Sequence, residues 1–327
     1  NRKGRINIMT NNKILISMAA WEDIHLIDTM HKALKHAAHP ENISFGLGIN
    51  YQDEPDFSSF NNTIKIVRDK EVGDGNPGII GIRDAIRKLV TDEKYFLGID
   101  AHCDFVDNWD ISLINDIDEL TLNGEKRIIS RQATAISQEN KNRKTKWSMY
   151  GSSIDNFNIV GEPVETTLQE LINNNLMVND KYFLNYYISC NFIFAKTESF
   201  KEINFPNYHK FPFEEPEQSL TTFCNGYDVV SPLADYIVTY AANDIKYEFP
   251  YDEKWWDFIG TDRNNKSHWV KKWVLDDNEM QIEVKKLLID GKNKYYNVTN
   301  SLRSIEDFYK SIGFYNEYLL LKNGIIK

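Results

Sequence analysis

Tyr95-Phe96-Leu97-Gly98-Ile99-Asp100-Ala101-His102 is the stretch on which the fold turns. Five apolar or small residues run unbroken and then meet a carboxylate. A short apolar run of this kind predicts a buried strand, Tyr95 to Asp100. Working outward, Lys13 to Trp21 predicts a first strand of the same character. Glu22 and Asp23 then open an amphipathic helix, Ile24 to Ala38, whose apolar positions recur at i, i+3 and i+4. Pro40 forbids its continuation. Ile43 to Asn50 predicts a second strand and Ile64 to Val67 a third. Gly73 to Gly81 forms a glycine-rich turn into a helix around Ile82 to Val90. The alternation of strands and helices predicts an open α/β sheet of mostly parallel strands. In such sheets ligands bind beyond the carboxyl ends of the strands, where Asp100 and His102 stand.

Downstream the pattern weakens between Trp109 and Met177. A helix is expected over Thr166 to Asn175 and a buried strand over Tyr186 to Ala195. Glu217 to Cys224 is expected to be helical, with Gly226 placed to stop it. Tyr236 to Ala241 is expected to be another strand. Residues 1–12 are expected to be a disordered or vector-derived lead-in, 13–260 the sheet domain, and 261–327 a helical C-terminal appendage packed on it. That last part holds Trp269 and Trp273.

Composition bounds the class. A chain of 327 residues with 42% hydrophobic and 13% aromatic content can bury a sizeable core. No apolar run approaches the ~20 residues of a membrane span, so no membrane partner is expected. Cys103, Cys190 and Cys224 are too few and too scattered for a disulfide framework, which points to a reducing, cytoplasmic compartment, or host cytoplasm for a viral protein. A net charge of −10 gives no overall attraction for nucleic acid. One island departs from it: Lys126, Arg127, Arg131, Lys141, Arg143, Lys144 and Lys146 face a single acidic residue, Glu139. It suits a solvated loop or an anionic ligand or acceptor.

Three constellations can carry chemistry. Strand alternation puts Asp100 and His102 on one side, so a carboxylate oxygen and an imidazole nitrogen can face one divalent cation, Mn²⁺ or Mg²⁺. A diphosphate would supply further oxygens, and the cation would offset charge building on a leaving group. A strand-end Asp beside a surface His meets the same spacing. The second is Phe213-Glu214-Glu215-Pro216-Glu217, followed by Gly226-Tyr227-Asp228. Its carboxylates suit sugar or acceptor hydroxyls, or complement a helix dipole. The third, Gly73 to Gly81 leading to Arg83, lacks the Gly-Lys-Ser/Thr of a P-loop and suits a phosphate or a simple tight connection.

These pieces follow a familiar order. From Lys13 to about Tyr315 the chain resembles the cytoplasmic polypeptide N-acetylglucosaminyltransferases, a retaining glycosyltransferase family of GT-A type that adds GlcNAc to hydroxyproline. Ile16 to Asp23 is similar to the family's opening strand and turn, and Pro40 to Ile43 to its P-E-R-I. Arg83, sixteen residues and Asp100 match its A-R…Y-F-L-Q-I-D-S-H block, and Asn108 to Asp110 the W-D that follows. Phe213 to Glu215 and Gly226 to Asp228 match G-E-E…G-Y-D, and Ser301 to Gly313 its closing segment. Polypeptide GalNAc transferases carry a similar D-x-H.

The resemblance implies a Rossmann-like, nucleotide-sugar-binding sheet domain, a UDP-sugar co-substrate, and a metal at Asp100 and His102. It places Glu214 and Glu215 near the donor sugar and acceptor, as the catalytic pair. Ser17, Ala19 and Trp21 would contact the nucleotide, and Arg83 would approach the diphosphate or orient Asp100. The acceptor it implies is a hydroxyl on a protein. The basic segment 126–146 and the AT-rich-genome composition suggest instead a phage-type transfer to hydroxymethylated pyrimidine in DNA. The chain departs from the family in three places. Phe213 replaces a Gly, Thr221 stands where an Arg is usual, and the family's later metal-binding His falls near Thr239 or Tyr240, with Asp244 as a substitute. The missing His is also what a non-catalytic sugar-binding module would show.

Overall fold

The structure, a computed structural model, describes residues 13–73, 77–135, 143–150, 158–203, 205, 214–240, 278–299 and 301–324. In chain order the elements begin β1 (Ile14–Trp21), α1 (Leu26–His36), β2 (Ile43–Asn50), β3 (Ile64–Arg68), α2 (Gly78–Arg87) and β4 (Tyr95–Asp100). Next come β5 (Cys103–Phe105), α3 (Trp109–Leu120), β6 (Arg127–Ser130), β7 (Thr134–Ala135), β8 (Arg143–Tyr150), β9 (Asn158–Glu165) and α4 (Leu168–Asn173). Then follow β10 (Tyr182–Leu184), β11 (Phe192–Lys196), α5 (Thr197–Ile203), α6 (Glu214–Cys224), β12 (Asp228–Pro232) and β13 (Ile237–Thr239). The last are α7 (Asn278–Asp290), α8 (Ile305–Ser311) and α9 (Tyr315–Lys322).

The main sheet has eight strands in the order β10-β12-β6-β11-β4-β1-β2-β3. Its first half is parallel: β3, β2, β1 and β4 pair in register, with Ala19 opposite both Gly48 and Asp100. Its second half departs from the expected mostly parallel arrangement, because β11 enters antiparallel between β4 and β6, and β10 pairs antiparallel with β12. Tyr186 to Asn191, expected in a strand, lie outside it; the strand begins at Phe192.

Side-chain alternation sorts the sheet's two faces. Ile14, Ile16, Met18 and Ala20 of β1, with Tyr95, Leu97 and Ile99 of β4, form one core with Leu26, Met30 and Ala33 of α1 and Leu113 and Ile117 of α3. The Trp109 indole, fully buried, donates to the Ala33 carbonyl at 2.9 Å and ties the two helices together. The opposite face carries Ser17, Ala19 and Trp21 of β1 and receives Ile82 and Ile86 of α2. Gly46 and Gly48 of β2 permit that helix to approach. A Cβ on Gly48 would sit 2.1 Å from Ile82 Cγ2. α2 starts at Gly78, not after Gly81, and Gly78 and Gly81 both belong to it.

Because Asp100 shares the α2-facing alternation with Phe96 and Gly98, its carboxylate emerges beside α2. The C-terminal helices pack on α6: Leu220, Phe223 and Cys224 join Val284, Leu287, Leu288, Phe308, Tyr309 and Tyr318 in one buried cluster. Tyr309 and Tyr318 stack at 4.4 Å. The boundary expected at 260/261, Asp244, Phe213, Trp269 and Trp273 all lie outside the described residues.

Candidate active site

Arg83, one turn into α2, reaches over the end of β4. Its Nη2 lies 3.2 Å from Asp100 Oδ1, and its Nη1 donates to Glu214 Oε1. Burial on its own would lower the pKa of this guanidinium, but the Glu214 charge foremost, with that of Asp100, outweighs it and raises it. Glu214 is 4% exposed, and its second oxygen, Oε2, is buried with no hydrogen-bond partner among the described residues. A buried carboxylate oxygen costs desolvation unless a donor reaches it, and a hydroxyl or amide at this atom would relieve that cost.

Glu215, next in α6, faces the other way. Tyr187 donates its phenol to Glu215 Oε2, while Ser189 Oγ at 3.2 Å and the Cys190 amide at 3.0 Å donate to Oε1. Burial pushes the Glu215 carboxyl up despite those donors. Tyr187 follows Tyr186, a non-glycine residue with φ 57°. The expected strand over Tyr186 to Ala195 concealed these donors; their irregular backbone is what turns them onto Glu215. Of the expected catalytic pair, Glu214 keeps one oxygen without a partner among the described residues, and Glu215 is held by the protein's own donors.

His102 follows the bend after β4, and its Nε2 stands 3.9 Å from Asp100 Oδ2. Its Nδ1 lies 2.9 Å from Asp23 Oδ2. Burial works to lower the imidazole pKa, but the Asp23 hydrogen bond and the nearby Asp100 charge outweigh it, so the net shift is upward. Asp23 was expected to open the first helix. Instead α1 begins at Leu26, and Asp23 belongs to a turn whose carboxylate aims at His102. β13 runs alongside: Thr239 pairs with Cys103, and the Tyr240 amide donates to the His102 carbonyl at 3.1 Å. The position at which the family's later His was expected therefore does adjoin His102, but it is occupied by Thr239 and Tyr240. Among the described residues no cluster of three or more His, Cys, Asp or Glu is placed to hold a metal. The donor pair Asp100 and His102 nevertheless suits a cation that takes most of its ligands from phosphate oxygens and water.

Ser17 is buried and, with Arg83, Arg87, Gly98, Cys190 and Gln218, lines a small cavity between the sheet, α2 and α6. Ala19 and Trp21 are partly buried against Ile82 and Ile86. Three of the basic residues are engaged within the fold. Lys126 pairs with Glu202 at 2.6 Å, and Arg127 donates to the Leu120 carbonyl at 3.0 Å. Arg131 is 3% exposed and pairs with Asp235 at 3.1 Å. These three serve the fold; Lys141 lies outside the described residues, and Arg143, Lys144 and Lys146 lie on β8. No helix among the described residues is long and apolar enough to cross a membrane.

Comparison with GalNAc-T7 supports this architecture. GalNAc-T7, solved with UDP, GalNAc and Mn²⁺, superposes with a TM-score of 0.53 at 12% identity. The match covers 94% of this chain and 56% of that one, so this chain spans little more than half the length of GalNAc-T7. S. aureus TarS (1-349) gives a TM-score of 0.49 at 10% identity, over 94% of this chain and 72% of that one. The sequence matches none of the curated proteins. The fold is α/β of the GT-A type. The sequence model for glycosyltransferase (GlcNAc) matches residues 80–315, a span that holds Arg83, Asp100, His102, Glu214 and Glu215, and the chain belongs to that glycosyltransferase family.

Proposed function

We propose that this chain transfers a sugar, GlcNAc or a close relative, from a UDP-sugar to a hydroxyl of a macromolecular acceptor, with retention and with a divalent cation. The observation that carries the reading is the line Asp100–Arg83–Glu214 at the carboxyl end of β4. It sets a guanidinium between two carboxylates of different character. Asp100 is partly exposed and beside an imidazole; Glu214 is buried, with one oxygen unpartnered among the described residues. Asp100 and His102 would hold Mn²⁺ or Mg²⁺, which would supply charge neutralisation for the departing diphosphate. Arg83 would add a fixed positive charge on the same side.

Glu214 Oε2 would accept a hydroxyl of the donor sugar and so fix its orientation. Neither glutamate would act as a nucleophile in this reading, since Arg83 engages Glu214 and three donors engage Glu215. This favours attack of the acceptor hydroxyl from the face that the leaving group vacates. The engagement of Lys126, Arg127 and Arg131 within the fold weighs against a duplex-DNA acceptor and toward a protein hydroxyl. Calorimetric titration with UDP tests the reading. Binding that requires Mn²⁺ or Mg²⁺ is expected, and UDP binding indifferent to cation would contradict it.

A further inference from the structure

We infer that Asp23 is the positioning residue of the cation site: it fixes the His102 ring in the form that keeps the Nδ1 proton and turns the Nε2 lone pair toward Asp100. The inference rests on the proposed reading of Asp100 and His102 as cation ligands. An ionised carboxylate only accepts hydrogen bonds. Asp23 Oδ2, 2.9 Å from His102 Nδ1, therefore requires the proton on that nitrogen. In the neutral ring the other nitrogen, Nε2, then carries the lone pair, and it is Nε2 that faces Asp100.

The turn that delivers this carboxylate is held by several contacts. Glu22 takes φ 44°, a left-handed backbone that a residue with a Cβ rarely adopts. The Glu22 amide donates to the Asn50 carbonyl at 3.1 Å, and its carboxylate accepts from the Gln52 amide at 2.6 Å. The Tyr51 phenol donates to the Asp23 carbonyl at 2.8 Å. These contacts hold a strained residue in place, which is how proteins fix geometry at working sites. Asp23 Oδ1 is also engaged, accepting from the His25 amide at 2.9 Å. Both oxygens of Asp23 thus act as acceptors, and its side chain is only 12% exposed.

That double use makes Asp23→Asn a sharp test, because asparagine has one acceptor where aspartate has two. If its oxygen stays with the His25 amide, its NH₂ faces Nδ1. The His102 proton must then move to Nε2, on the Asp100 side. If its oxygen turns to Nδ1, the His25 amide loses its partner. Carboxylates that orient a metal-binding imidazole are worth roughly 10- to 100-fold in metal affinity.

The experiment measures Mn²⁺ affinity of the full chain in the presence of UDP by electron paramagnetic resonance, for wild type and Asp23→Asn. Thermal unfolding is followed alongside, and the His102 ring nitrogens are assigned by ¹⁵N NMR in metal-free wild type above the pH at which the ring loses its charge. The expected result is a roughly 10- to 100-fold weaker Mn²⁺ affinity in the variant, little change in the unfolding midpoint, and a proton on Nδ1 in wild type. Wild-type binding with an equal affinity in Asp23→Asn overturns the inference alone, as does a proton on Nε2 in wild type. Wild type that binds no Mn²⁺ even with UDP overturns the cation site itself and the inference with it. If Asp23→Asn does not fold, the wild-type NMR assignment decides.

Discussion

Arg83 and Glu214 stand 131 positions apart in the chain and form an ion pair at the carboxyl end of β4. The pair joins the two parts of the molecule that sequence motifs treat separately. α2 lies over the parallel half of the sheet, and α6 links that sheet to the C-terminal helices. The same guanidinium also contacts Asp100, so one side chain sets the spacing of both carboxylates.

Removal of the guanidinium leaves Glu214 buried with neither oxygen paired among the described residues. Breaking a buried ion pair from one side costs about 3–5 kcal/mol. Arg83→Ala is expected to lower the urea unfolding free energy by that order. Arg83→Met combined with Glu214→Gln is expected to recover a good part of it, because no charge is then stranded. A loss below about 1 kcal/mol in Arg83→Ala would mean that solvent reaches Glu214.

Gly48 is predicted to be the least replaceable residue of β2. An alanine there would put its Cβ 2.1 Å from Ile82 Cγ2 and 3.0 Å from Ile86 Cδ1. Overpacking of this kind costs about 1–3 kcal/mol. Since Ile82 precedes Arg83, Gly48→Ala is expected to depress donor turnover as well as the thermal midpoint. A variant with both unchanged would show that α2 is not seated as described.

Glu93 supplies a pH signature. Its side chain is 1% exposed and pairs with Lys65 at 2.6 Å, with the Thr91 amide also donating at 2.9 Å. Burial acts to raise its pKa, but the Lys65 hydrogen bond and the backbone donors outweigh it, and the net shift is downward. The folded state therefore favours the carboxylate. Its stabilisation is fully present above the unfolded pKa of about 4.3 and is lost as pH falls through the depressed folded value. Glu93→Gln is expected to be less stable than wild type by about 1–3 kcal/mol at neutral pH. Urea unfolding at falling pH should show the two converge below the unfolded pKa. A constant difference would remove the ion pair as its source.

Much of the first half of the fold was legible in sequence for a plain reason. β1, β2 and β4 are buried on both faces, so each is a continuous apolar run, and the expected bounds agree with the observed ones to within a residue. α3 escaped notice because Asp110 and Asp116 interrupt its apolar stripe. Both are nonetheless buried, Asp110 accepting from the Ala38 and His39 amides and Asp116 from two tyrosines. β6 and β10 are three or four residues long and pair with distant segments, and nothing local encodes such pairing. At the site, Asp100 and His102 were visible as a strand end. Asp23 was not, because an acidic residue before an amphipathic stretch is also the signature of a helix start. The Arg83–Glu214 pair has no sequence spacing that could announce it.

Donor hydrolysis tests the central claim most directly. Purified chain is incubated with a panel of UDP- and GDP-sugars and Mn²⁺, without acceptor and then with hydroxyl-bearing peptides and hydroxymethylated DNA, and free nucleotide is measured for wild type and Asp100→Ala. Mn²⁺-dependent release of UDP from one donor is expected, fastest with a peptide acceptor and abolished in Asp100→Ala. Release that persists in Asp100→Ala, or the absence of release from every donor with every acceptor, would contradict that claim.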